Sequence, residues 1–309
     1  MMHLESNAAT RSSDFELARH VIAVAEVHDG ASPVSDQALL AATQGERTLL
    51  LFRREGEPDP VAIGVAGQGE VDLVVLPNAR GEGIATSVLP ALLERVDGAA
   101  LAWAHGANPA AEALLTRAGF APVRSLLRMT LDPALLPQHK IEPSALDTPP
   151  GFALRAFDPE RTDDAERWVR ANAAAFATHP EQGRLTESDF ALMRAEEWFD
   201  PDDLLLLIDQ AGEVAGSTWV KTLREPEVET ELYAVGVRPE YAGRGLGALL
   251  LEATLARMAQ HEPARVSLYV DGDNERAVRM YERAGFTVDS RSRQWRKAPA
   301  ASPGATMDA

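Results

Sequence analysis

The chain repeats one short pattern of residues, and this repeat limits the possible folds more than any other feature. In each half an asparagine and an alanine lead, over the same distance, to the letters Arg-Ala-Gly-Phe. The two copies are Asn108, Ala111 and Arg117-Ala118-Gly119-Phe120, and Asn274, Ala277 and Arg283-Ala284-Gly285-Phe286. A shared order of predicted elements surrounds both copies. We therefore interpret the chain as a tandem duplication of one α/β domain of roughly 140 residues.

Hydrophobic periodicity predicts the same element order in both halves. In the first half the predicted helices cover residues 15–27, 36–42, 84–96 and 110–118, and the predicted strands cover 48–52, 61–66, 71–76, 100–104 and 121–131. In the second half the predicted helices cover residues 163–176, 187–198, a stretch ending near 260, and 275–284, and the predicted strands cover 204–209, 214–222, 231–237, 265–270 and a last strand from 286.

A proline-rich stretch separates the two halves. Five prolines lie within residues 132–150. Because proline lacks the N–H that regular structure needs, this stretch predicts an extended linker. The predicted domains are therefore residues 1–131 and 151–297, and the small and polar residues 298–309 predict a disordered tail.

The charge balance of the 309-residue chain excludes several functions. Its 30 basic and 47 acidic side chains give a net charge of −17, which argues against binding to nucleic-acid phosphates or to anionic lipid. No cysteine is present, and the seven histidines lack ligand spacing, so we predict no disulfide, no thiolate catalyst and no metal. The longest aliphatic run covers only residues 204–208 and no secretory signal is evident, so we expect a cytoplasmic protein.

A glycine-containing turn precedes one helix of each half. The turns are Arg80-Gly81-Glu82-Gly83 and Ala242-Gly243-Arg244-Gly245-Leu246-Gly247. Such a turn lets backbone approach a ligand closely and directs N–H groups and the helix dipole toward phosphate. A P-loop is excluded because Gly-Lys-Ser/Thr is absent, and the glycine spacing does not fit a dinucleotide fingerprint. Taken alone, the turn is also compatible with tight packing.

The residues around the second turn resemble the GNAT acetyltransferases. The similarity rests on residues 232–237, Pro239, Gly243-Arg244-Gly245-Leu246-Gly247, Asn274 with Ala277, and Tyr281-Glu282 before Gly285-Phe286, and in the first half on residues 73–77, 80–85 and 108–120. The resemblance implies two tandem α/β (α+β) domains, each with a mixed, mostly antiparallel central sheet flanked by helices. It also implies acetyl-CoA as cosubstrate, with the pyrophosphate on the turn and the pantetheine arm along the preceding strand.

The resemblance assigns acetyl-CoA contacts to both halves. In the second half they are Val235, Gly236, Val237, Ala242, Gly243, Arg244, Gly245, Leu246, Gly247, Ala248, Asn274 and Arg279, and in the first half Leu73, Val74, Val75, Gly81, Gly83, Ala85 and Thr86. Ala242 departs from the family, which usually has Gln or Arg there, so one phosphate contact is missing or replaced. Asn274 is equally well explained as a helix N-cap, and Arg279 as a solvated side chain.

Within that superfamily, further stretches resemble the mycothiol synthases, a tandem family with one active domain. They are Asp29-Gly30 with Pro33-Val34, Trp103-Ala104-His105-Gly106, Asn172 with Phe176, His179-Pro180-Glu181-Gln182-Gly183, and Glu197-Trp198-Phe199-Asp200-Pro201. The resemblance implies acetylation of the cysteine amine of cysteinyl-glucosaminyl-inositol, which forms mycothiol, the low-molecular-weight thiol of actinobacteria. It also implies acceptor contacts at Asp36, Glu181, Lys221, Glu231 and Tyr269, each of which, taken singly, is compatible with plain surface.

Acetyl transfer to an amine needs one group that takes a proton from the amine and another that protonates the leaving thiolate. The resemblance favours Glu231, acting through water, as the base and Tyr281 as the acid. Glu231 alone could be a solvated residue at a strand end, and Tyr281 alone could be a core residue. Strand alternation predicts that Glu231 shares one face with Tyr233, Val235 and Val237.

The two halves differ at the positions that this chemistry needs. Leu115 is aligned with Tyr281, so only the second half has a phenol, and Glu82 is aligned with Arg244. We therefore predict a catalytic C-terminal half and a degenerate N-terminal half. The N-terminal half either binds CoA without turnover or only supports the fold and forms a wall of the substrate site.

Two other functions are compatible with the sequence. One is a tandem acetyltransferase that modifies another small-molecule or protein amine, and the other is a non-catalytic CoA-binding protein. In every case we expect a monomer whose partner is a small molecule, and neither nucleic acid nor membrane.

Overall fold

The computed structural model describes residues 4–106, 108–177 and 182–299. Apart from those gaps, it divides into two compact units. Unit 1 comprises residues 4–127, 271–273 and 290–299, and unit 2 comprises residues 128–270 and 274–289. Residues 300–309 of the predicted tail lie outside the described residues.

The first half of the chain alternates strands and helices in the predicted order. Its elements are β1 (Leu4–Ala8), α1 (Ser12–Asp29), α2 (Asp36–Thr43), β2 (Thr48–Arg54), β3 (Pro60–Gly67), β4 (Glu70–Val75), α3 (Ile84–Leu93), β5 (Ala100–Ala104), α4 (Pro109–Arg117) and β6 (Ala121–Leu131). Strand β1 lacks a predicted counterpart, because alternation over its polar residues is weak.

The second half repeats this order. Its elements are β7 (Phe152–Ala156), α5 (Asp164–Ala175), α6 (Glu187–Met193), β8 (Leu204–Asp209), β9 (Val214–Leu223), β10 (Glu229–Val237), α7 (Leu246–Gln260), β11 (Arg265–Asp271), α8 (Glu275–Arg283) and β12 (Thr287–Lys297). Strand β7 was not predicted. Helix α6 ends five residues before its predicted end, and Trp198 and Phe199 pack against a hydrophobic core beyond it.

The repeated asparagines are helix caps. The side-chain oxygen of Asn108 accepts a hydrogen bond from the N–H of Ala111 at 3.0 Å, and that of Asn274 from the N–H of Ala277 at 3.2 Å. An asparagine three residues before a free N–H satisfies one donor that a helix start leaves unpaired. The conserved spacing within the repeat therefore has a local structural cause.

Each unit contains a mixed, mostly antiparallel sheet, which confirms the predicted fold class. The strand order is β1-β2-β3-β4-β5-β12 in unit 1 and β11-β10-β9-β8-β7 in unit 2, which also contains residues 128–131 of β6. The parallel pairs are β4 with β5 and β10 with β11. Alternate residues of one strand pack on opposite faces: Leu204 and Leu206 pack with α5 and α6, and Leu205 and Leu207 pack with α7.

The last strand of the chain completes the sheet of unit 1. Residues of β12 pair antiparallel with β5, from Arg293 opposite Ala104 to Lys297 opposite Ala100. Trp295 is buried in the same core as Leu115 and Phe120. The compact units therefore differ from the predicted halves: residues 290–299 belong to unit 1, and residues 128–150 belong to unit 2. The predicted linker contains two short 3₁₀ helices, Pro133–Leu135 and Pro143–Ala145.

Candidate active site

The parallel strands β10 and β11 separate partway along their length. Their ladder ends at Leu232 opposite Leu268, although β10 continues to Val237 and β11 to Asp271. On its other edge, β10 stays paired with β9 as far as Val237. Past Leu232, the edge of β10 toward β11 therefore offers backbone N–H and C=O groups to a ligand that extends along the strand.

A β-bulge at Tyr233 changes which side chains face which side of β10. The register between β9 and β10 shifts between Leu232 and Ala234, and one extra residue reverses the alternation. Val235 and Val237 pack in the cluster of α7, whereas the Tyr233 ring packs in the cluster of α5 and α6. The prediction that Glu231, Tyr233, Val235 and Val237 share one face is therefore wrong for the two valines.

Three of the predicted acceptor residues share one face of the sheet. Glu231 lies directly opposite Lys221 of β9 and opposite Ser267 of β11. Directly opposite residues project to the same face, and Tyr269, two residues after Ser267, follows onto that face. The register thus brings Glu231, Lys221 and Tyr269 to one face beside the opening between the strands.

The second glycine turn leads directly into α7. Gly243 and Gly245 both have φ of +78°, a left-handed conformation that glycine adopts at low cost, and no atom lies within 4 Å of where a Cβ would stand. Gly245 is the N-cap of α7, and no side chain caps this helix. The first N–H groups of α7 are therefore available to an anion.

The other predicted residues of this turn differ in what they can offer. Leu246 is buried in the core, so only its backbone can reach a ligand. The Arg244 guanidinium lies 5.4 Å from the ring centre of Tyr241, whose hydroxyl donates to Asp209 at 2.6 Å. Arg244 is exposed and makes no ion pair with the residues that the structure describes. It is therefore the cation of the turn that is left for an anionic ligand.

Tyr281 is buried on α8. Its ring packs edge-on against Phe286 at 6.0 Å between centres, and its side chain is only 5 % exposed. Burial raises the pKa of the Tyr281 hydroxyl to about 12. Within the described residues, this hydroxyl makes no hydrogen bond, so it remains a protonated donor with no internal acceptor.

Two predicted acetyl-CoA residues on α8 have local roles. Asn274 caps the helix, as described above. The Arg279 guanidinium bonds to the Glu275 carboxylate, one turn earlier, at 2.8 Å. Both observations agree with the local alternatives that the sequence left open, and neither prevents a contact with a ligand.

The remaining acceptor residues are placed only in part. Asp36 is exposed in the first turn of α2, and Ser35, not Asp36, accepts the capping hydrogen bond from the N–H of Ala38. Glu181, with the neighbouring His179, lies outside the described residues. Among the described residues, no group of three or more acidic or histidine side chains could hold a metal ion. None of the described helices is both long and apolar enough to cross a membrane.

The chain matches known proteins over most of its length. Residues 166–286 match the family model described as "Acetyltransferase (GNAT) family". The mycothiol acetyltransferase of Clavibacter sepedonicus is 37% identical over 288 residues, which cover 91% of this chain and 92% of the relative. That of Thermomonospora curvata is 39% identical over 278 residues, which cover 86% and 89%. The chain belongs to the mycothiol acetyltransferase family.

Solved structures agree with this family in fold. A tandem GNAT protein from the clavulanic acid biosynthesis pathway has a TM-score of 0.70 at 18% identity, covering 97% of this chain and 100% of that one. A GCN5-related N-acetyltransferase from Sphaerobacter thermophilus has a TM-score of 0.66 at 22% identity, covering 96% and 95%. As a member of the mycothiol acetyltransferase family, the chain is an acetyl-transferring enzyme, and GNAT enzymes use acetyl-CoA as cosubstrate.

In this member of the mycothiol acetyltransferase family, unit 1 contains a glycine turn with the same backbone conformation as the turn of unit 2. Its charged side chains differ. Gly81 and Gly83 again have positive φ and open space, and α3 begins without a side-chain cap. The Glu82 carboxylate, however, bonds to Arg54 at 2.6 Å. Arg80 bonds to Asp29 at 2.7 and 2.8 Å, and its Nε donates to the carbonyl of Val75 at 3.1 Å. The charged side chains of this turn thus pair within unit 1.

The other residues of unit 1 that are predicted to contact acetyl-CoA lie on β4 and at the start of α3. Leu73 and Val75 pack with the α3 side of the sheet, and Val74 packs with the α1 side. Ala85 and Thr86 lie in the first turn of α3. Leu115, aligned with Tyr281, is buried in the apolar core.

Sequence comparison of the halves missed a carboxylate, Glu70, that matches Glu231 in position. Glu70 lies opposite Leu101, and Glu231 lies opposite Ser267. Leu101 and Ser267 each stand seven residues before the repeated asparagine. The correspondence is hidden in the sequence because the bulge at Tyr233 inserts one residue between Glu231 and its turn.

A buried arginine accompanies Glu70. The Arg47 guanidinium bonds to Asp72 at 2.6 Å and lies 3.3 Å from Glu70. Burial raises the pKa of the Glu70 carboxyl, and the charge of Arg47 opposes that rise. The pairing of β3 with β4 runs without a register shift from Ala62 to Gly67. Unit 1 therefore has no counterpart of the bulge at Tyr233 in this pairing.

Proposed function

We propose that this enzyme transfers the acetyl group of acetyl-CoA to the cysteine amine of cysteinyl-glucosaminyl-inositol, and that unit 2 carries the reaction. The observation that carries the proposal is the set of features gathered in unit 2. The strands β10 and β11 separate beside an uncapped helix start, the Glu231 carboxylate lies on β10, and the buried Tyr281 phenol lies on α8. The name of the relatives supports the acceptor.

Unit 2 has suitable groups for both ends of acetyl-CoA. The N–H groups of residues 243–248 and the Arg244 guanidinium would hold the pyrophosphate, because open glycines leave room for it at the helix start. The free edge of β10 at Val235, Gly236 and Val237 would hold the pantetheine arm through backbone hydrogen bonds. The cosubstrate supplies an activated acyl group when bound.

Glu231 is proposed to take the proton from the acceptor amine, directly or through water. An amine attacks only as the free base, so the proton must leave before the C–N bond forms. Glu231 faces the same side of the sheet as Lys221 and Tyr269. Lys221 and Tyr269 are proposed to contact the polyol beside this base. Asp36 and Glu181 stay proposed acceptor contacts because of the family resemblance.

Tyr281 is proposed to protonate the sulfur as the C–S bond breaks. The phenol is protonated at neutral pH, burial raises its pKa further, to about 12, and within the described residues no acceptor competes for the proton. A positioned acid of this kind contributes typically 10²- to 10⁴-fold to rate.

Unit 1 is proposed to be degenerate in chemistry. It keeps a glycine turn and a carboxylate at Glu70, but Leu115 replaces the phenol, and its charged groups pair internally. We retain Leu73, Val74, Val75, Gly81, Gly83, Ala85 and Thr86 as proposed contacts of a second acetyl-CoA that is bound without turnover.

A mass-spectrometric assay tests the function. The purified chain is incubated with acetyl-CoA and cysteinyl-glucosaminyl-inositol, and we expect one acetyl group on the cysteine amine. An acceptor whose amine is already blocked should give no product. Turnover only with another amine would instead favour a different acetyltransferase, and acetyl-CoA binding without any turnover would favour a non-catalytic protein.

A further inference from the structure

The Lys221 ammonium is held against two aromatic rings. Its Nζ lies 5.1 Å from the ring centre of Trp198 and 6.0 Å from that of Tyr233. The two rings are 5.6 Å apart at an angle of 43°. At these distances a cation is attracted by the negative faces of both rings. The side chain that lies directly opposite Glu231 is thus restrained by two ring contacts.

The core of unit 2 fixes the rings themselves. Trp198 packs 5.4 Å from Trp219, and Tyr233 packs edge-on 5.2 Å from the same indole. Trp219 is fully buried between these rings and Trp168 of α5. The Tyr233 ring lies on the same face of β10 as Glu231 and packs into this cluster. The rings are therefore a rigid support on which a flexible lysine is placed.

A free lysine side chain samples many rotamers, and a ligand that binds it must restrict all of them. A lysine already restrained by ring contacts costs a ligand less to bind, which is the general benefit of preorganisation. Lys221 is a proposed acceptor contact, so this inference rests on the proposed function. Trp198 touches Lys221 from a segment outside β9 and β10.

We propose that Trp198 is a positioning residue for the acceptor: its indole, together with the Tyr233 ring, holds the Lys221 ammonium in the orientation that binds the substrate. Trp198 acts through Lys221. Removal of the indole therefore raises KM for the acceptor and leaves KM for acetyl-CoA unchanged.

The first test observes the lysine directly. The chain has only three lysines, Lys140, Lys221 and Lys297, so selective labelling of the ε-CH₂ groups gives an NMR spectrum with three signals. The Lys221 signal, assigned by its loss in Lys221→Met, should be shifted upfield of Lys140 by the ring currents. The shift should disappear in Trp198→Leu and persist in Trp198→Phe. Coincidence of the Lys221 and Lys140 signals in the unaltered protein would overturn the proposal.

The second test measures kinetics. Trp198→Leu should raise KM for the acceptor by about 5- to 30-fold, the range that one lost cation–π contact supports, with kcat changed less than about twofold. Trp198→Phe should restore most of the affinity. In the Lys221→Met background, Trp198→Leu should add nothing further. Additive effects, or an equal rise of KM for acetyl-CoA, would contradict the positioning role.

Phe199→Leu is the matched control. Phe199 is the next residue, packs 5.9 Å from Trp219 in the same cluster and contacts no lysine in the described part of the chain. It should lower thermal stability without a selective change in KM for the acceptor. A selective change in this variant would also contradict the proposal. Because the NMR arm needs no turnover, complete inactivity of the unaltered protein would count against the proposed function and leave the ring-held lysine to be judged separately.

Discussion

At the scale of single residues, burial raises the pKa of Tyr281 and lowers the pKa of His105. Tyr281 belongs to the proposed reaction, and burial raises the pKa of its phenol, which is protonated at neutral pH, to about 12. His105 lies in unit 1 after β5, stacked on Trp103 at 5.8 Å, and its buried Nε2 has no hydrogen-bond partner within the described residues. Burial lowers the pKa of the His105 imidazole to about 4. Neither shift is visible in the sequence, because both arise from burial in the folded chain.

Tyr281→Phe removes a proton donor and little else. We expect kcat to fall about 10²- to 10⁴-fold, with KM for acetyl-CoA within about twofold. Thermal stability should be nearly unchanged. Tyr241→Phe is the control, because its hydroxyl bonds to Asp209 at 2.6 Å. That variant should lose about 1 kcal/mol of stability and keep its kcat. An unaltered kcat in Tyr281→Phe would remove this residue from the mechanism.

His105 should make unit 1 sensitive to acid. Its folded pKa is below its unfolded value, so the unfolded state binds the extra proton first as pH falls. The neutral ring's contribution to stability is complete above about pH 6.5 and is lost as pH falls toward 4, a total of about 3 kcal/mol. Urea unfolding of the protein and of His105→Phe at several pH values measures this. Equal pH dependence in both proteins would contradict the expectation.

At the scale of elements, the two glycine turns share a backbone and differ in charge. Each turn has two left-handed glycines with open space around them, and each leads into a helix without a side-chain cap. Arg244 is exposed in the second turn, whereas Glu82 is paired with Arg54 in the first. Because the two turns have the same backbone conformation, the same substitution can be compared in both.

Gly245→Asp and Gly83→Asp should differ sharply in activity. Both substitutions impose the same left-handed strain, so their structural costs are matched. An added carboxylate at Gly245 should raise KM for acetyl-CoA at least about 30-fold through repulsion of the pyrophosphate, whereas Gly83→Asp should change it less than about threefold. Steady-state kinetics with melting curves for both variants provides the measurement. Equal losses in two folded variants would mean that the catalytic half is assigned wrongly.

At the scale of the whole molecule, each unit is completed by chain from outside its own half. Strand β12, near the C-terminus, pairs with β5, and its Trp295 is only 6 % exposed among residues of the first half. The stability of unit 1 therefore depends on residues that the duplication assigns to the other copy.

Trp295→Ala should destabilise unit 1. Removal of a buried indole typically costs about 3–5 kcal/mol, so amides of β2 to β5 should lose much of their protection in hydrogen exchange. Deletion of residues 300–309 is the control and should leave this protection intact. Protection losses confined to β10 and β11 would show that Trp295 supports the other unit instead.

The amino-acid sequence alone was enough to predict the duplication, the element order, the glycine turns and the difference between Tyr281 and Leu115. These features are local: periodicity, helix caps and turns depend on residues close together in the chain. For the same reason the boundaries of most strands and helices agreed with their predictions, and the resemblance to the GNAT acetyltransferases could be read from short motifs.

The features that depend on strand pairing became evident only from the folded chain. The bulge at Tyr233 moved Val235 and Val237 to the other face, the register matched Glu70 with Glu231, and β12 joined the sheet of unit 1. A single inserted residue reverses alternation without leaving a signal in composition or period. Which strand β12 pairs with depends on how much apolar surface each pairing buries, and that burial exists only once the core has assembled.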